Sequence, residues 1–485
     1  MGNQTSGISG KNFIKKLAGF SAATWVSFVL SFLSSPITTR LFSPEEVGKI
    51  NLFSTYINMF LMFAYLGLDQ AYIRFYFDPP EGQSQKGLFT ICLGLSEAFA
   101  GVLTIGIFLF WSPLSVGISG SESFIIAVCL ALALVANIAI RFFNLAARMK
   151  SKAGLYSAQT IALAVINRLL YVLVAFWNPN HLYAIVLLTG GYLLMTLILF
   201  VIQSRNCLTR SFRLSSGMVK ALFSFSLPLV PVSVLSWANN SVGQLFIRNY
   251  VDFAAIGIYT NAVAVANIVN LLQTGFNTYW YPFVYENYQT RQSQIQKVHR
   301  LITFCAVALG LCIILGQDII YLLLGEKFRA GKAFFPFLLL SPICYTIAET
   351  TGVGINLSKK TYLNVITFAA NVTVNILLCI IFLPMVGVAG AAIASSASAI
   401  VMLIFKTILG EKYYACVTNF PQTFGAIAIL FSAALINWLV SAAVLKYALV
   451  VALLALLILI YRQEAKYLFR FGMEILRGLV RRKKQ

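Results

Sequence analysis

Residues 153–177 read AGLYSAQTIALAVINRLLYVLVAFW, an apolar run with one cation, Arg168, near its middle. A helix that crosses a bilayer needs about 20 apolar residues, so this run is long enough to span one. An arginine at bilayer depth costs roughly 2.5 to 3.5 kcal/mol on insertion scales, and such residues face a bundle interior or a water-filled cavity. The run therefore predicts a transmembrane helix on which Arg168 marks a polar path.

The rest of the chain repeats such runs. Of its 485 residues, 59% are hydrophobic and 11% are charged, which indicates an integral membrane protein without a separate soluble domain. Apolar runs between charged or Pro/Gly-marked breaks predict spans near 17–37, 48–69, 87–110, 123–143, 153–177, 182–202, 219–243, 253–283, 296–316, 331–357, 361–383, 386–409, 421–440 and 442–461. We expect an all-α polytopic membrane protein with about fourteen transmembrane helices.

Lysine and arginine placement gives the orientation, because positive residues in short loops stay on the cytoplasmic side. Of the 36 lysines and arginines, 28 fall on one side of the predicted spans and Arg168 lies within one. Seven fall on the other side: Arg40, Lys49, Arg248, Lys327, Arg329, Lys332 and Lys446. Both termini are therefore predicted to be cytoplasmic.

The net charge of +21 is spread over many loops, so it does not indicate a nucleic-acid partner. Part of it lies in the predicted tail, residues 462–485. This tail places Leu468, Phe471, Ile475 and Leu479 on one helical face among basic residues, as helices on anionic lipid surfaces do.

No catalytic or cofactor motif is found. The eight cysteines include no CxxC pair, and His181 and His299 have no companions at ligand spacing, so we expect two loop histidines and no metal site. The chain is predicted to be neither an enzyme nor a cofactor protein.

Polar residues recur at helical spacing inside four spans. Span 2 carries Asn51, Thr55, Asn58, Tyr65 and Asp69, and span 8 carries Asn267, Asn270, Thr274 and Asn277. Weaker stripes lie in span 1 (Ser27, Ser31, Ser34, Thr38) and span 7 (Ser233, Trp237, Asn240, Gln244). Dry packing between helices is one explanation, and a hydrated cavity between two six-span halves is the other. We expect pseudosymmetric lobes at residues 1–210 and 211–412, followed by two further spans at 413–461 and the tail.

Four segments carry a family resemblance: ITTRLFSPEEVGKINLF (37–53), LGLDQAYIRFYFD (66–78), LLLGEKFRAGKAFFPFLLL (322–340) and NLSKKTYLNVITFAANVTVNILLCIIFLPMVGVAGAAIASSASAI (356–400). Over nearly its whole length the chain resembles the multidrug/oligosaccharidyl-lipid/polysaccharide exporter superfamily, and within it the O-antigen type, Wzx-like polysaccharide flippases. The resemblance implies two lobes with alternating access in a bacterial cytoplasmic (inner) membrane. It also implies a cargo of undecaprenyl-diphosphate-linked glycan, which is moved from the inner to the outer leaflet for the synthesis of lipopolysaccharide or capsule. The partners it implies are membrane lipids, a polysaccharide polymerase and assembly proteins.

The predicted cargo site combines cations for the diphosphate with amides for the sugars: Arg40, Arg168, Arg248, Asn58, Asn240, Asn270 and Asn277. Arg40 and Arg248 lie close to span ends, so each is alternatively explained as a side chain that snorkels to the interface. For Arg168 the alternative is a structural pair with Glu97 or Glu349.

Proton or sodium coupling is assigned to Glu349 in span 10, for which structural pairing is the alternative. Glu97 and Asp69 are weaker candidates for the same role. Three other transport or membrane functions remain open: a cation-coupled multidrug exporter, a peptidoglycan-precursor flippase, and a membrane glycan polymerase or ligase. A non-transporting scaffold is the last alternative.

Overall fold

The computed structural model describes residues 26–27, 29–360, 362–470 and 473. In this part of the chain the secondary structure consists of α-helices and short 3-10 segments, without strands. The chain forms two compact units, one ending at Trp237 and the other beginning at Ala238. The finer division predicted from the sequence, at residues 210, 412 and 461, stays a prediction.

The helices of the first unit are α1 (29–41), α2 (Pro44–Tyr65), α3 (Leu68–Phe75), α4 (Gln85–Leu109), α5 (Trp111–Ser119), α6 (Phe124–Met149), α7 (Ala153–Arg168), α8 (His181–Cys207), α9 (Ser216–Ser226) and the start of α10 (Val230–Tyr250). The helices that follow α10 in the second unit are α11 (Phe253–Ala266), α12 (Asn270–Asn287), α13 (Gln292–Leu315), α14 (Gln317–Leu323), α15 (Phe335–Thr351), α16 (Val353–Leu357), α17 (Tyr362–Val386), α18 (Val388–Glu411), α19 (Phe420–Leu439), α20 (Ala443–Ile460) and α21 (462–470). The 3-10 segments are Pro80–Gly82, Leu170–Phe176, Leu227–Leu229, Asn267–Val269 and Glu326–Ala333.

The described residues contain ten helices that are long and apolar enough to cross a membrane, or up to twelve if each of two bent helix pairs is one span. The chain is therefore an all-α, multi-pass membrane protein, as predicted. Two predicted spans are not in this count. Span 1 lies partly outside the described residues, and span 8 is interrupted by the 3-10 turn Asn267–Val269, which shortens its apolar helix.

A bend of 52° between α2 and α3 changes the course of the predicted span 2. Leu66 and Gly67 adopt left-handed conformations, with φ of 44° and 74°. A Cβ atom on Gly67 would lie 2.6 Å from the carbonyl oxygen of Ser226, so only glycine permits this approach of α9. The polar stripe from Asn51 to Asp69 therefore does not run along one straight helix face, contrary to the prediction.

Interlocking aromatic rings form the core of the first unit. Phe142 of α6 lies edge-on to Tyr72 and Phe89, with ring centroids 6.2 Å away in both cases. Phe53 and Phe143 are fully buried in the same cluster. Edge-to-face pairs of this kind add about 0.5 to 1.5 kcal/mol beyond area burial, and they fix α2, α3, α4 and α6 against one another.

The second unit has a buried histidine at the junction of three helices. The Nδ1 atom of His299 in α13 is 2.7 Å from the Thr350 hydroxyl of α15, and its Nε2 atom is 3.0 Å from the Thr423 hydroxyl of α19. The prediction that His299 is a loop residue is wrong, because two threonines satisfy its ring nitrogens inside the bundle. His181 begins α8, and its Nδ1 atom is 2.8 Å from the Glu46 carboxylate.

One of the cations that the predicted topology places on the outer side, Lys332, has an acidic partner. Lys332, at the end of the 3-10 segment before α15, forms an ion pair with Asp318 of α14. Tyr447 of α20 donates a hydrogen bond of 2.5 Å to the same carboxylate. The Lys332 hydrogen bond in particular holds the pKa of Asp318 below its ordinary value of 3.8.

Candidate functional site

A cavity of about 500 Å³ lies inside the first unit. Helices α1, α2, α6, α7 and α8 and the 3-10 segment Leu170–Phe176 line it. Four asparagines contribute to its wall: Asn51, Asn58, Asn137 and Asn167. Because amides both donate and accept hydrogen bonds, this wall suits a ligand rich in hydroxyl groups.

Arg168 lies on the same wall, at the point where the α-helical part of its span ends. It is the last residue of α7, and the chain continues as the 3-10 segment from Leu170. Its side chain is exposed to the cavity and forms no ion pair with any carboxylate of the described residues. The free carbonyls at a helix C-terminus favour a cation there. The cavity therefore contains one guanidinium and no carboxylate.

Hydroxyl groups complete the wall and are held by neighbouring helices. The Tyr192 hydroxyl donates a 2.5 Å hydrogen bond to Asn167 Oδ1, which joins α8 to α7. The Tyr171 hydroxyl lies 3.3 Å from the Thr38 hydroxyl, which joins the 3-10 segment to α1. These bonds position the polar groups on either side of Arg168 before any ligand arrives.

The predicted cargo residues of the first unit separate into two groups. Asn58 and Arg168 share the cavity wall. Arg40 is exposed near the end of α1 and is not part of that wall. Its position is the one expected for a side chain that snorkels to the interface.

In the second unit the predicted cargo residues lie at separate places. The Arg248 guanidinium lies over the Phe253 ring, 4.1 Å from its centroid. Asn240 is exposed on α10, and Asn270 begins α12 directly after a 3-10 turn. The Oδ1 atom of Asn277 is buried without a hydrogen-bond partner among the described residues. Their role in cargo binding stays a prediction.

The acidic residues predicted for ion coupling have different surroundings. Asp69 forms an ion pair with Arg141 of α6, whose Nη2 atom is 2.9 Å from Asp69 Oδ2. Glu97 is half-buried on α4 and has no ion pair within the described part of the chain. Asp69 thus has a basic partner, and its role in ion coupling, like that of Glu97, stays a prediction.

Glu349 lies in a buried charge cluster of the second unit. Its Oε1 atom is 3.3 Å from Lys406 Nζ of α18, and the side chains are 16% and 8% exposed. Tyr281 of α12 donates a hydrogen bond to Oε2, and the Trp280 indole donates one of 3.1 Å to the Glu349 carbonyl. Lys406 lies inside α18 and within the predicted span 386–409, but the sequence analysis did not single it out. A lysine inside an apolar run was the signal that could have identified this cluster.

The fold defines the chain as a multi-pass α-helical membrane protein with a polar cavity inside its first unit. A family model described as "Polysaccharide biosynthesis protein" matches residues 13–288. The chain belongs to this family.

Solved structures share the fold. The chain is similar to the structure described as "Lipid II flippase MurJ, inward closed conformation", with 14% identity and a TM-score of 0.67 over 94% of this chain and 99% of that one. It is also similar to an inward-facing multidrug resistance MATE family transporter of the MOP superfamily, with 14% identity and a TM-score of 0.57 over 84% and 96% of the two chains.

Among curated proteins, protein 1 of the Lsg locus of Haemophilus influenzae is 21% identical over 400 residues, which cover 79% of this chain and 94% of that protein. The resemblance to polysaccharide proteins seen in the sequence is thus confirmed by the family match, and the solved structures show that the fold is shared. The two solved structures that share the fold are described as a flippase and as a transporter.

Proposed function

We propose that this protein is a flippase that moves undecaprenyl-diphosphate-linked oligosaccharide from the inner to the outer leaflet of a bacterial cytoplasmic membrane. It acts by alternating access, with both termini in the cytoplasm, and supplies surface polysaccharide such as O-antigen or capsule. The observation that carries the proposal is the cavity of the first unit, where Arg168 faces amides and hydroxyls and no carboxylate.

The physical reason is the cost of moving such a cargo through hydrocarbon. Buried hydroxyls without partners cost several kcal/mol each, and unpaired charges cost far more. A guanidinium forms bidentate, charge-assisted hydrogen bonds with phosphate oxygens, and the surrounding amides replace water at sugar hydroxyls. The volume of about 500 Å³ suits the head of the cargo, while the polyprenyl tail stays in lipid.

Ion coupling, if the cycle uses protons or sodium, is assigned to the cluster of Glu349, Lys406 and Tyr281. Moving one charge down a 100 mV potential supplies about 2.3 kcal/mol, enough to bias a two-state cycle. In this cluster Lys406 neutralises Glu349. An ion that binds Glu349 has to displace the ammonium group, which couples ion binding to the packing of α15 against α18.

A second candidate is a peptidoglycan-precursor flippase, favoured by the fold similarity to the lipid II flippase. Its cargo is also a polyprenyl diphosphate and would use the same cation. A multidrug exporter for organic cations is disfavoured, because such a cargo would meet Arg168 without a compensating carboxylate on the cavity wall.

Complementation separates these candidates. The chain is expressed in one strain that lacks its polysaccharide flippase and in a second strain depleted of its lipid II flippase. We expect surface polysaccharide to return in the first strain and growth to fail in the second. Rescue of the second strain alone would replace the proposal by the peptidoglycan function, and rescue of neither strain by a properly inserted protein would reject both.

A further inference from the structure

A second cavity, of about 430 Å³, lies in the second unit between the end of α12, the start of α13 and α21. It is amphiphilic. Phe283, Leu301 and Tyr467 give it apolar walls, while Lys297 and Arg300 add two cations. The proposed transport cycle does not use this cavity.

An ion pair shapes the cavity. Arg300 Nε on α13 is 3.1 Å from Glu464 Oε1 on α21, and the Glu464 side chain is only 9% exposed. This ion pair holds α21 against the start of α13.

Lys297 is the unbalanced charge of the cavity. It lies one helical turn before Arg300, so the two cations share one face of α13. Lys297 is exposed and has no ion pair or hydrogen bond within the described residues. Arg462 and Lys466 of α21 are exposed, and both lie close to Glu464 in sequence, so they add further positive charge to this part of α21.

The position of the cavity identifies the environment of its ligand. α13 and α20 are both apolar enough to cross the membrane, and the cavity lies where α13 begins and where the chain continues beyond α20. By the proposed orientation both ends are cytoplasmic. Basic pockets between transmembrane helices on that side bind the head groups of anionic lipids.

We propose that this cavity binds an anionic phospholipid of the cytoplasmic leaflet. Its phosphate lies between Lys297 and Arg300, and an acyl chain follows Leu301 and Phe283 toward the hydrocarbon. The bound lipid bridges α13 and α21 and reinforces the ion pair between them. This site depends on the proposed orientation, but not on the identity of the cargo.

The test uses the full-length protein in a neutral detergent. Its thermal unfolding is followed while cardiolipin, phosphatidylcholine or inorganic phosphate is added. We expect stabilisation by cardiolipin and little effect of the other two. The Lys297→Gln variant should bind cardiolipin about five-fold more weakly, because one cation near an anionic lipid contributes about 1 kcal/mol.

Lys412→Gln is the matched control, because Lys412 is exposed at the C-terminal end of α18 and does not line the cavity. It should bind cardiolipin as the unchanged protein does. Lys297→Gln leaves the Arg300–Glu464 pair intact, so the variant is expected to fold. Equal stabilisation by phosphatidylcholine, equal protection by inorganic phosphate, or equal loss in both lysine variants would each overturn the proposal.

Discussion

The substitution Arg168→Ala removes the cation of the first cavity. It tests whether Arg168 is needed for transport or for folding. The cavity wall contains no carboxylate, and Arg168 forms no ion pair among the described residues, so its loss leaves no unpaired buried charge. Substitutions away from packed or paired features usually change stability by about 0.5 kcal/mol or less. We therefore expect the variant to insert, fold and accumulate normally.

The effect on transport should be large. A bidentate arginine–phosphate contact consists of two charge-assisted hydrogen bonds, each contributing about 1.5 kcal/mol or more. Losing both weakens cargo binding by about 3 kcal/mol, or roughly 100-fold. Arg168→Lys keeps the charge but not the planar pair of donors, so it should lose roughly ten-fold.

The assay measures surface polysaccharide in a flippase-deficient strain that carries each variant, and membrane fractionation and size-exclusion profiles report folding. Arg210→Ala is the control, because Arg210 is exposed in the loop between α8 and α9, outside the cavity, and carries the same charge. Normal polysaccharide with Arg168→Ala, or an equal loss with Arg210→Ala, would refute the reasoning.

Three further predictions concern the second unit. His299→Ala removes two buried threonine contacts and should destabilise the protein by about 2 to 3 kcal/mol, measured by thermal unfolding in detergent, with unchanged stability as the contrary result. Because pairing with Lys332 lowers the pKa of Asp318, that carboxylate stabilises the fold above its ordinary value of 3.8 and loses this effect as pH falls through the lower folded value. The gap in melting temperature between the unchanged protein and Asp318→Asn should therefore stay constant from about pH 7 to 5 and shrink below 3.8; a gap that grows on acidification would contradict this. Glu349→Gln leaves Lys406 buried and unpaired, so this variant should be destabilised by about 3 kcal/mol. The double variant Glu349→Gln with Lys406→Met should recover much of that loss in the same unfolding measurement.

The sequence predicted the helices well because hydrophobic length alone determines whether a segment can cross a bilayer. Except for the interrupted span 253–283, each predicted span from residue 48 onward coincides with a helix long enough to cross a membrane or with a bent helix pair. The bend at Gly67 was missed, since a glycine inside an apolar run does not change hydropathy. It is the backbone of Ser226, far away in sequence, that requires glycine there.

The site was predicted only in part. A single arginine in an apolar run is conspicuous, and Arg168 does face a cavity. The tyrosines on either side of it, Tyr171 and Tyr192, were not recognised, because in membranes the face that a helix presents depends on its neighbours rather than on its own pattern. The partner of Glu349 was missed for the same reason. Lys406 follows it by more than fifty residues and meets it only when α18 packs on α15.

Two cations within apolar runs show how charge is used differently in the two units. Lys406 is balanced by Glu349, and the attraction within a buried pair of this kind roughly offsets the cost of desolvating the two charges. Arg168 has no carboxylate partner in the described chain and faces an open volume lined by neutral dipoles. Its charge must therefore be balanced by water or by an anion that enters. An entering phosphate meets a site with reduced dielectric screening, where the attraction exceeds that in bulk water. Under the proposed function, this unbalanced charge is the physical reason why the first unit would select an anionic cargo.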